Sequence, residues 1–151
     1  MLPKQLEEHE LQALLALDHH VPRSVLGFHT ETTETGVTWL IRVWEPDAVS
    51  CRVSWLEEFG FPDLEMEQEH SAGIFVGTCE GKTASTPYTL HFRYADGHEH
   101  SRLDPYYFQF SISSYDQYLF GQGKHHFLHE KLGAHVEHRE GVAGARFAVW
   151  A

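Results

Sequence analysis

Between residues 38 and 97, the chain alternates apolar and polar side chains in short stretches separated by glycine, proline and aspartate. Successive side chains of a β-strand point to opposite faces, so this period of two predicts strands with one core face and one wet face. Their spacing predicts an all-β fold, an immunoglobulin-like antiparallel β-sandwich. The five stretches are TWLIRVW (38–44), SCRVSWL (50–56), LEMEQEH (64–70), GIFVGTC (73–79) and PYTLHFRYADG (87–97).

The first residues show a different period. In KQLEEHELQALLALD (4–18), Leu11, Leu14 and Leu15 recur at helical spacing, and Leu17 widens the apolar stripe. We therefore expect a short N-terminal helix that packs its leucines on a β-domain. Its polar face is acidic rather than basic, which favours packing over a role at a membrane surface.

The charge balance narrows the class of partner. Acidic residues number 22 against 11 basic ones, and the net charge of −11 opposes binding to nucleic acid or to anionic lipid. No apolar run approaches the roughly 20 residues of a membrane span, and no signal peptide is visible. We expect no nucleic-acid or membrane partner and a cytoplasmic location.

The histidines and cysteines invite a metal hypothesis. The densest of the 13 histidines lie in HHFLH (125–129) and HEH (98–100), but neither cluster has the cysteine or carboxylate companions of a dedicated site. We interpret them as solvated residues and expect no metal site and no cofactor. Cys51 and Cys79 lie in predicted strands, where small buried thiols are favoured over a disulfide.

The last residues repeat the pattern of an early strand. GVAGARFAVW (141–150) matches GVTWLIRVW (36–44) in its leading glycine, its arginine and its Val-Trp pair, and Val149 follows Val43 by 106 positions. Such a spacing fits the first strands of two similar β-sandwich modules. The second stretch is followed by no turn, cap or charge. We therefore expect the chain to be a fragment that stops inside the first strand of a second module.

Several longer stretches carry a family resemblance. Taken together they resemble the N-terminal region of bacterial glycogen branching enzymes over residues 17–151, and the run from Tyr118 to His135 is the most specific part. The matching stretches are LDHHVPRSVLGFH (17–29), RVWEPDA (42–48), YADG (94–97), DPYYF (104–108), YLFGQGKHHFLHEKLGAH (118–135) and GARFAVWA (144–151).

The resemblance implies a domain order and a reaction. In that family an N-terminal sandwich precedes a sandwich of the carbohydrate-binding module family 48 type, an α-amylase-like barrel and a C-terminal β-domain. The parent reaction cuts an α-1,4-glucan and moves the segment to a 6-hydroxyl, in glycogen biosynthesis. On this basis we divide the chain into an N-terminal helical segment (1–20), the sandwich (21–112), a linker (113–140) and the truncated first strand of the next module (141–151).

The resemblance also limits the chemistry. Retaining transfer needs two carboxyl groups about 5 Å apart across the scissile bond, and in the family these belong to the absent barrel. Asp104 and Asp116 stand near aromatic residues, but Asp104-Pro105 is typical of a turn. We therefore expect no catalytic residue in this chain and no activity of the chain alone.

The expected ligand is an α-1,4-glucan such as glycogen, and the expected protein partners are the remaining domains of the same enzyme. Sugar rings stack on flat exposed aromatics, so we name Trp44, Tyr106 and Tyr107 as candidate substrate-binding residues. Trp44 shares a strand face with Leu40 and Arg42, where cover by the helix or by another domain is the favoured alternative.

Two functional hypotheses remain. In the first, the domain is a non-catalytic spacer that positions α-glucan chains or limits the length of chain transferred. In the second, it is a glucan-binding module that acts through exposed aromatics. We favour the first, because the aromatics fall mostly on predicted core faces. A third interpretation is a debranching enzyme or another two-sandwich α-amylase relative, which the run from Tyr118 to His135 disfavours.

Overall fold

A computed structural model describes residues 5–33, 36–79 and 86–150, and strands dominate it. Two short 3-10 turns, Pro22–Ser24 and Glu57–Phe59, interrupt the regular elements. In chain order these elements are α1 (Glu8–Leu15), β1 (Gly27–Thr33), β2 (Gly36–Trp44), β3 (Ala48–Trp55), β4 (Leu64–Glu65), β5 (Glu67–His70), β6 (Ile74–Cys79), β7 (Tyr88–Tyr94), β8 (Glu99–Leu103), α2 (Ser114–Gly121), α3 (Leu128–Lys131), β9 (Gly133–Arg139) and β10 (Val142–Ala148).

The strands form two four-stranded antiparallel sheets and a separate hairpin. The first sheet has the order β1-β2-β6-β5, the second has the order β4-β3-β7-β8, and β9 pairs with β10. The two four-stranded orders reproduce the arrangement of immunoglobulin-like sandwiches, and the chain crosses from one sheet to the other after β2, β4 and β6. The predicted all-β, immunoglobulin-like sandwich with a short N-terminal helix is confirmed.

The core lies between the two sheets and follows the predicted alternation. Inward-facing side chains at most 1% exposed come from both sheets and include Ile41, Cys51, Val53, Phe75, Leu90 and Phe92. Across the layer, the Phe28 and Tyr88 ring centroids lie 6.4 Å apart. Both cysteines are buried free thiols, as predicted, and burial raises the pKa of Cys51 to about 12.

The N-terminal helix is shorter than predicted. It spans Glu8–Leu15, and Leu17 beyond it has a φ of 57° and is 84% exposed, so Leu17 does not join the apolar stripe. Leu14 is 2% exposed and forms a small cluster with Val25 and Leu26. Leu14 is therefore the leucine of the helix that is buried in the fold.

A buried ion pair ties the N-terminal segment to the first sheet. The Arg42 Nε atom on β2 donates to Glu69 Oε2 on β5 at 2.7 Å, and Arg42 Nη2 lies 3.2 Å from Glu69 Oε1. The same Oε1 accepts the backbone N–H of Leu6 at 2.8 Å, and Arg42 Nη1 reaches the carbonyl oxygen of Val25 at 3.4 Å. One arginine on the outer face of the sheet thus joins two strands and two points of the N-terminal segment.

Gly73 allows the β5–β6 turn to press against the β2–β3 turn. Its φ is +85°, and its carbonyl oxygen accepts the backbone N–H of Glu45 at 2.9 Å. A Cβ atom at this position would lie 2.0 Å from the Glu45 carbonyl oxygen, so only glycine fits here without displacement of the backbone.

The chain divides into two compact units, residues 1–107 and 108–151. Residues 113–140, which we interpreted as a linker, contain α2, α3 and β9, and β10 falls within 141–151. This stretch contains more regular structure than its sequence pattern suggests. Glu140 and Gly141 both adopt positive φ and form the tight turn between β9 and β10. The assignment of 141–151 to a following module remains a prediction.

Among the described residues, no helix is long and apolar enough to cross a membrane.

We predict that Glu69→Ala destabilises the sandwich unit. The substitution deprives the buried Arg42 guanidinium of its carboxylate and the Leu6 N–H of its acceptor, and breaking one side of a buried pair costs about 3 to 5 kcal/mol. Denaturant unfolding measures the change. The matched control is Glu67→Ala, an exposed glutamate on the same strand, and an equal loss in both variants would contradict the anchoring role.

Candidate functional site

Trp44 ends β2 on the outer face of the first sheet. Its indole Nε1–H donates to the Ala72 carbonyl oxygen at 3.1 Å, and the ring packs against the cluster of Leu14, Val25 and Leu26. The side chain is half-buried, and its polar atom already has a protein acceptor. Trp44 therefore lies partly beneath the N-terminal segment.

Tyr106 and Tyr107 follow the turn at Asp104-Pro105 and go to different places. Tyr107 is 7% exposed, and its ring meets the Tyr88 ring edge to face at 6.0 Å. Tyr106 is half-buried against the same cluster as Trp44, and a Cβ on Gly27 would lie 2.7 Å from the Tyr106 Cβ. The structure thus brings Trp44 and Tyr106 together in packing and places Tyr107 in the core.

Asp104 holds this turn in place from within. It is 2% exposed and accepts hydrogen bonds from the Tyr88 hydroxyl and, at 2.8 Å, from the Tyr106 backbone N–H. Burial raises the pKa of Asp104 above its usual range, and burial together with the nearby carboxylate raises the pKa of Tyr88. The pair is enclosed and fully hydrogen-bonded, so it orients the two tyrosines that follow rather than facing a ligand.

The outer face of the second sheet carries a hydrogen-bonded row of side chains that the sequence analysis did not single out. His91 on β7 pairs through Nε2 with Ser54 Oγ on β3 at 2.7 Å, and through Nδ1 with Ser101 Oγ on β8 at 2.8 Å. Partial burial, and then the charge of Arg52, lower the pKa of His91. The imidazole is therefore neutral at neutral pH and connects hydroxyl groups on the two strands that flank β7.

Charged residues surround this hydrogen-bonded row of side chains. Arg52 contacts the carboxylate of Asp63 and lies 4.0 Å from Glu65, while Arg93 stands opposite Glu99 in the strand register. Together they frame an open depression of about 250 Å³, lined by Ser50, Arg52, Glu65, His91, Arg93 and Ser101. The alternation of side chains within β3, β7 and β8 predicts that each of these residues lies on this face. It does not predict that they contact one another, because that depends on which strands pair.

An aromatic pair lies in the connection after β3. The rings of Phe59 and Phe61 are 6.2 Å apart and nearly parallel at 17°, and Phe61 meets the Trp55 ring edge to face at 5.9 Å. Phe59 is 39% exposed. Within the described part of the sandwich unit, this pair comes nearest to the exposed aromatic surface that the sequence analysis sought.

In the second unit, a carboxylate organises the start of α2. Ser113 and Asp116 form a reciprocal capping box, in which Ser113 Oγ accepts from the Asp116 N–H and Asp116 Oδ2 accepts from the Ser113 N–H. His125 Nε2 lies 2.8 Å from Asp116 Oδ1, and Lys131 Nζ lies 3.3 Å from Oδ2. The hydrogen bonds from Ser113, followed by that from His125, hold the pKa of Asp116 well below its usual range.

The β9–β10 hairpin has one apolar face and one charged face. The apolar face is exposed: Val136 pairs with Ala145, Ala134 pairs with Phe147, and Val136 is 92% exposed. On the charged face, Arg146 lies 3.3 Å from Glu137 and donates to backbone carbonyls of the preceding helix. The hairpin therefore presents its apolar side outward within this unit.

The histidine clusters do not gather around a common point. In the ranges that the structure covers, no three side chains of histidine, cysteine, aspartate or glutamate are close enough to hold a metal ion. His125 of the densest cluster is instead 5% exposed beside Asp116.

Comparisons with known proteins match most of the chain. A family model described as alpha-1,4-glucan branching enzyme GlgB, N-terminal domain, matches residues 7–106. Proteins named 1,4-alpha-glucan branching enzyme GlgB are 38% identical over 144 residues in Rubrobacter xylanophilus, covering 95% of this chain, and 40% identical over 147 residues in Gloeobacter violaceus, covering 97%. The one in Cupriavidus necator is 35% identical over 151 residues. The chain spans 19% of the length of each of these relatives.

We predict that α2 loosens as the pH falls below the ordinary range of an aspartate. Because the folded pKa of Asp116 is depressed, its contribution to stability is present above the unfolded pKa, near the ordinary value of 3.8, and is lost as the pH falls through the folded pKa. Amide hydrogen exchange of residues 114–121 at successive pH values measures the opening.

Asp116→Asn removes that titration, so we expect rapid exchange of α2 already at neutral pH and a flatter pH dependence. Asp18→Asn is the matched control, since Asp18 is exposed and lies in the other unit. A variant at 116 that keeps the full acid transition would show that another group is responsible.

Proposed function

Since the chain belongs to the family of the N-terminal domain of alpha-1,4-glucan branching enzymes, we propose that it is a non-catalytic domain that positions α-glucan chains, or limits the length of chain transferred, during α-1,6 branch formation. The reaction itself belongs to the longer proteins of the family, of which this chain spans about a fifth. The proposed setting is glycogen biosynthesis in the cytoplasm.

The packing of the candidate aromatics carries this proposal. Tyr107 is 7% exposed, Trp44 donates its indole N–H to a backbone carbonyl, and Tyr106 lies against Gly27. A ring that stacks on sugar needs a free face and gains by having its polar edge available. Trp44 and Tyr106 instead pack against the cluster of the N-terminal segment, and Tyr107 lies in the core against Tyr88. This packing supports a domain that acts by its shape and position.

The carboxylates of the sandwich unit support a non-catalytic role. Retaining transfer of a glycosyl group needs two carboxyl groups about 5 Å apart that face a cleft. Asp104 is 2% exposed and accepts two hydrogen bonds inside the fold, and Glu69 is paired with Arg42. Neither side chain is available to a substrate.

The hairpin supports a continuation into further domains of the same enzyme. We propose that residues 141–151 form the first strand of a second sandwich, of the carbohydrate-binding module family 48 type. Ala145 and Phe147 then lie on the core face of that module, beside Val136 of the paired strand β9. A two-stranded ribbon with an exposed apolar face is marginally stable alone, and further strands would bury it.

One observation favours the second candidate function, a glucan-binding module. The stacked rings of Phe59 and Phe61 offer an aromatic surface in the sandwich unit, and the acidic residues Glu57, Glu58 and Asp63 flank them in the sequence. An acidic, partly exposed aromatic surface suits a neutral sugar better than a nucleic acid.

We predict that Trp44→Ala lowers stability without weakening retention on insoluble amylose. Loss of the half-buried indole removes its packing on Leu14, Val25 and Leu26, at a cost of about 2 to 4 kcal/mol. Thermal unfolding and co-sedimentation with amylose measure the two properties. Trp150→Ala is the matched control, because Trp150 is 67% exposed. Weaker retention with an unchanged melting temperature would favour a sugar-stacking role for Trp44.

A domain exchange tests the positioning role. In the Rubrobacter xylanophilus relative, the matching region is either replaced by this chain or deleted, and the lengths of the branches formed on amylose are measured. We expect the exchanged enzyme to keep a defined distribution of branch lengths and the deleted enzyme to shift it. Identical distributions in both would contradict the proposed function.

A further inference from the structure

The outer face of the second sheet holds polar side chains in fixed positions. Ser54, His91 and Ser101 lie on three neighbouring strands, β3, β7 and β8, and are joined at 2.7 and 2.8 Å. Side chains that project from strands are held more rigidly than side chains on loops. This face therefore presents an ordered row of hydrogen-bonding groups rather than a set of independent surface residues.

The imidazole gives the row a direction. A neutral histidine carries one N–H donor and one acceptor nitrogen, so it donates to one serine and accepts from the other. The serine that accepts keeps its own O–H free to donate, and the serine that donates keeps lone pairs free to accept. The two ends of the row thus offer one donor and one acceptor, on either side of His91.

The charges around the depression select against ions. Two arginines and two glutamates line it, Arg52 and Arg93 against Glu65 and Glu99, so their formal charges cancel. Arg52 is also fixed by Asp63, which leaves no concentration of positive charge for a phosphate or nucleic acid. The whole chain, at −11, repels such anions further.

A neutral polyhydroxylated ligand fits these constraints. Each sugar hydroxyl both donates and accepts a hydrogen bond, which matches the two ends of the serine–histidine–serine row. An arginine beside a carboxylate offers neighbouring donors and acceptors to a pair of adjacent hydroxyls. The volume of about 250 Å³ lies just below the about 300 to 1,000 Å³ of drug-sized ligand sites, which suits a short stretch of a sugar chain.

We propose that this depression on the outer face of β3, β7 and β8 is a contact site for an α-glucan chain, held by hydrogen bonds from Arg52, His91 and Ser101, which line it, and from Ser54, which is bonded to His91. The inference rests on the proposed function, because it names where a glucan chain would meet the domain that positions it. The phenylalanine in the lining, Phe92, is 1% exposed and offers no ring face to a sugar, so we expect weak binding, with a dissociation constant on the order of 1 mM. Weak binding suits a site that guides a long polymer and releases it.

The experiment is a titration of the full chain with maltoheptaose, followed by backbone amide chemical shifts. We expect shifts concentrated at residues 50–54, 89–93 and 99–103. The double variant Ser54→Ala, Ser101→Ala removes both ends of the row, and we expect its dissociation constant to rise about tenfold. Ser71→Ala is the matched control, since Ser71 is exposed in the turn after β5, on the other sheet. We expect the dissociation constant of this variant for maltoheptaose to stay unchanged.

In the double variant, water molecules could take the place of the two serine hydroxyls and hide their loss, so a second variant is needed. His91→Phe removes both ring nitrogens and fills the middle of the row, so it abolishes the shifts on this face while thermal unfolding shows that the fold is kept. Shifts concentrated instead at Phe59 and Phe61, or at α2, would overturn the inference in favour of an aromatic site. Inorganic phosphate that shifts these strands where maltoheptaose does not would also overturn it.

The absence of any shift with maltoheptaose would overturn this site and leave the domain-exchange result standing. Conversely, unchanged branch lengths after deletion of the domain would contradict the positioning role even if maltoheptaose binds. The two failures are therefore separable.

Discussion

The ion pair between Arg42 and Glu69 determines how the first sheet is covered. Arg42 projects from the outer face of β2, where a solvated side chain would be the ordinary expectation, yet it is 5% exposed. Its guanidinium can lie there because Glu69 receives it in a two-point contact and also binds the Leu6 N–H. With the charge paired, Leu40 and Trp44 on the same face can pack beneath the N-terminal segment. The position of α1, and the half-burial of Trp44 and Tyr106, follow from this one contact.

Local period was enough to predict the sandwich, because burial of Tyr88, Leu90 and Phe92 repeats with a step of two along β7. The same rule gives the shared face of Leu40, Arg42 and Trp44. It does not reveal that Arg42 pairs with a glutamate 27 positions away, since that contact depends on which strands neighbour each other. It also missed β9, where exposed alanine and valine alternate with partly buried histidine, glutamate and arginine, the reverse of an ordinary half-buried strand.

At the candidate site too, the residue types and strand faces could be predicted from the sequence, but the tertiary contacts could not. Sequence reasoning sought aromatic rings because sugars stack on them, and it selected Trp44, Tyr106 and Tyr107 by type and strand face. Their surroundings depend on tertiary contacts, such as the approach of Tyr106 to Gly27. The serine–histidine–serine row lay outside that search because each residue is ordinary on the wet face of a strand. Only the pairing of β3, β7 and β8 brings them within hydrogen-bond distance.

The central strand β6 has apolar contacts on both of its faces. Phe75 points into the sandwich, while Ile74 and Val76, on the opposite face, are equally protected. A strand shared by two layers makes those layers cooperate: opening of the N-terminal segment exposes apolar surface on β6 and weakens the sheet from behind. The N-terminal segment and the first sheet are therefore expected to unfold together, so that changes at the start of the chain weaken this sheet.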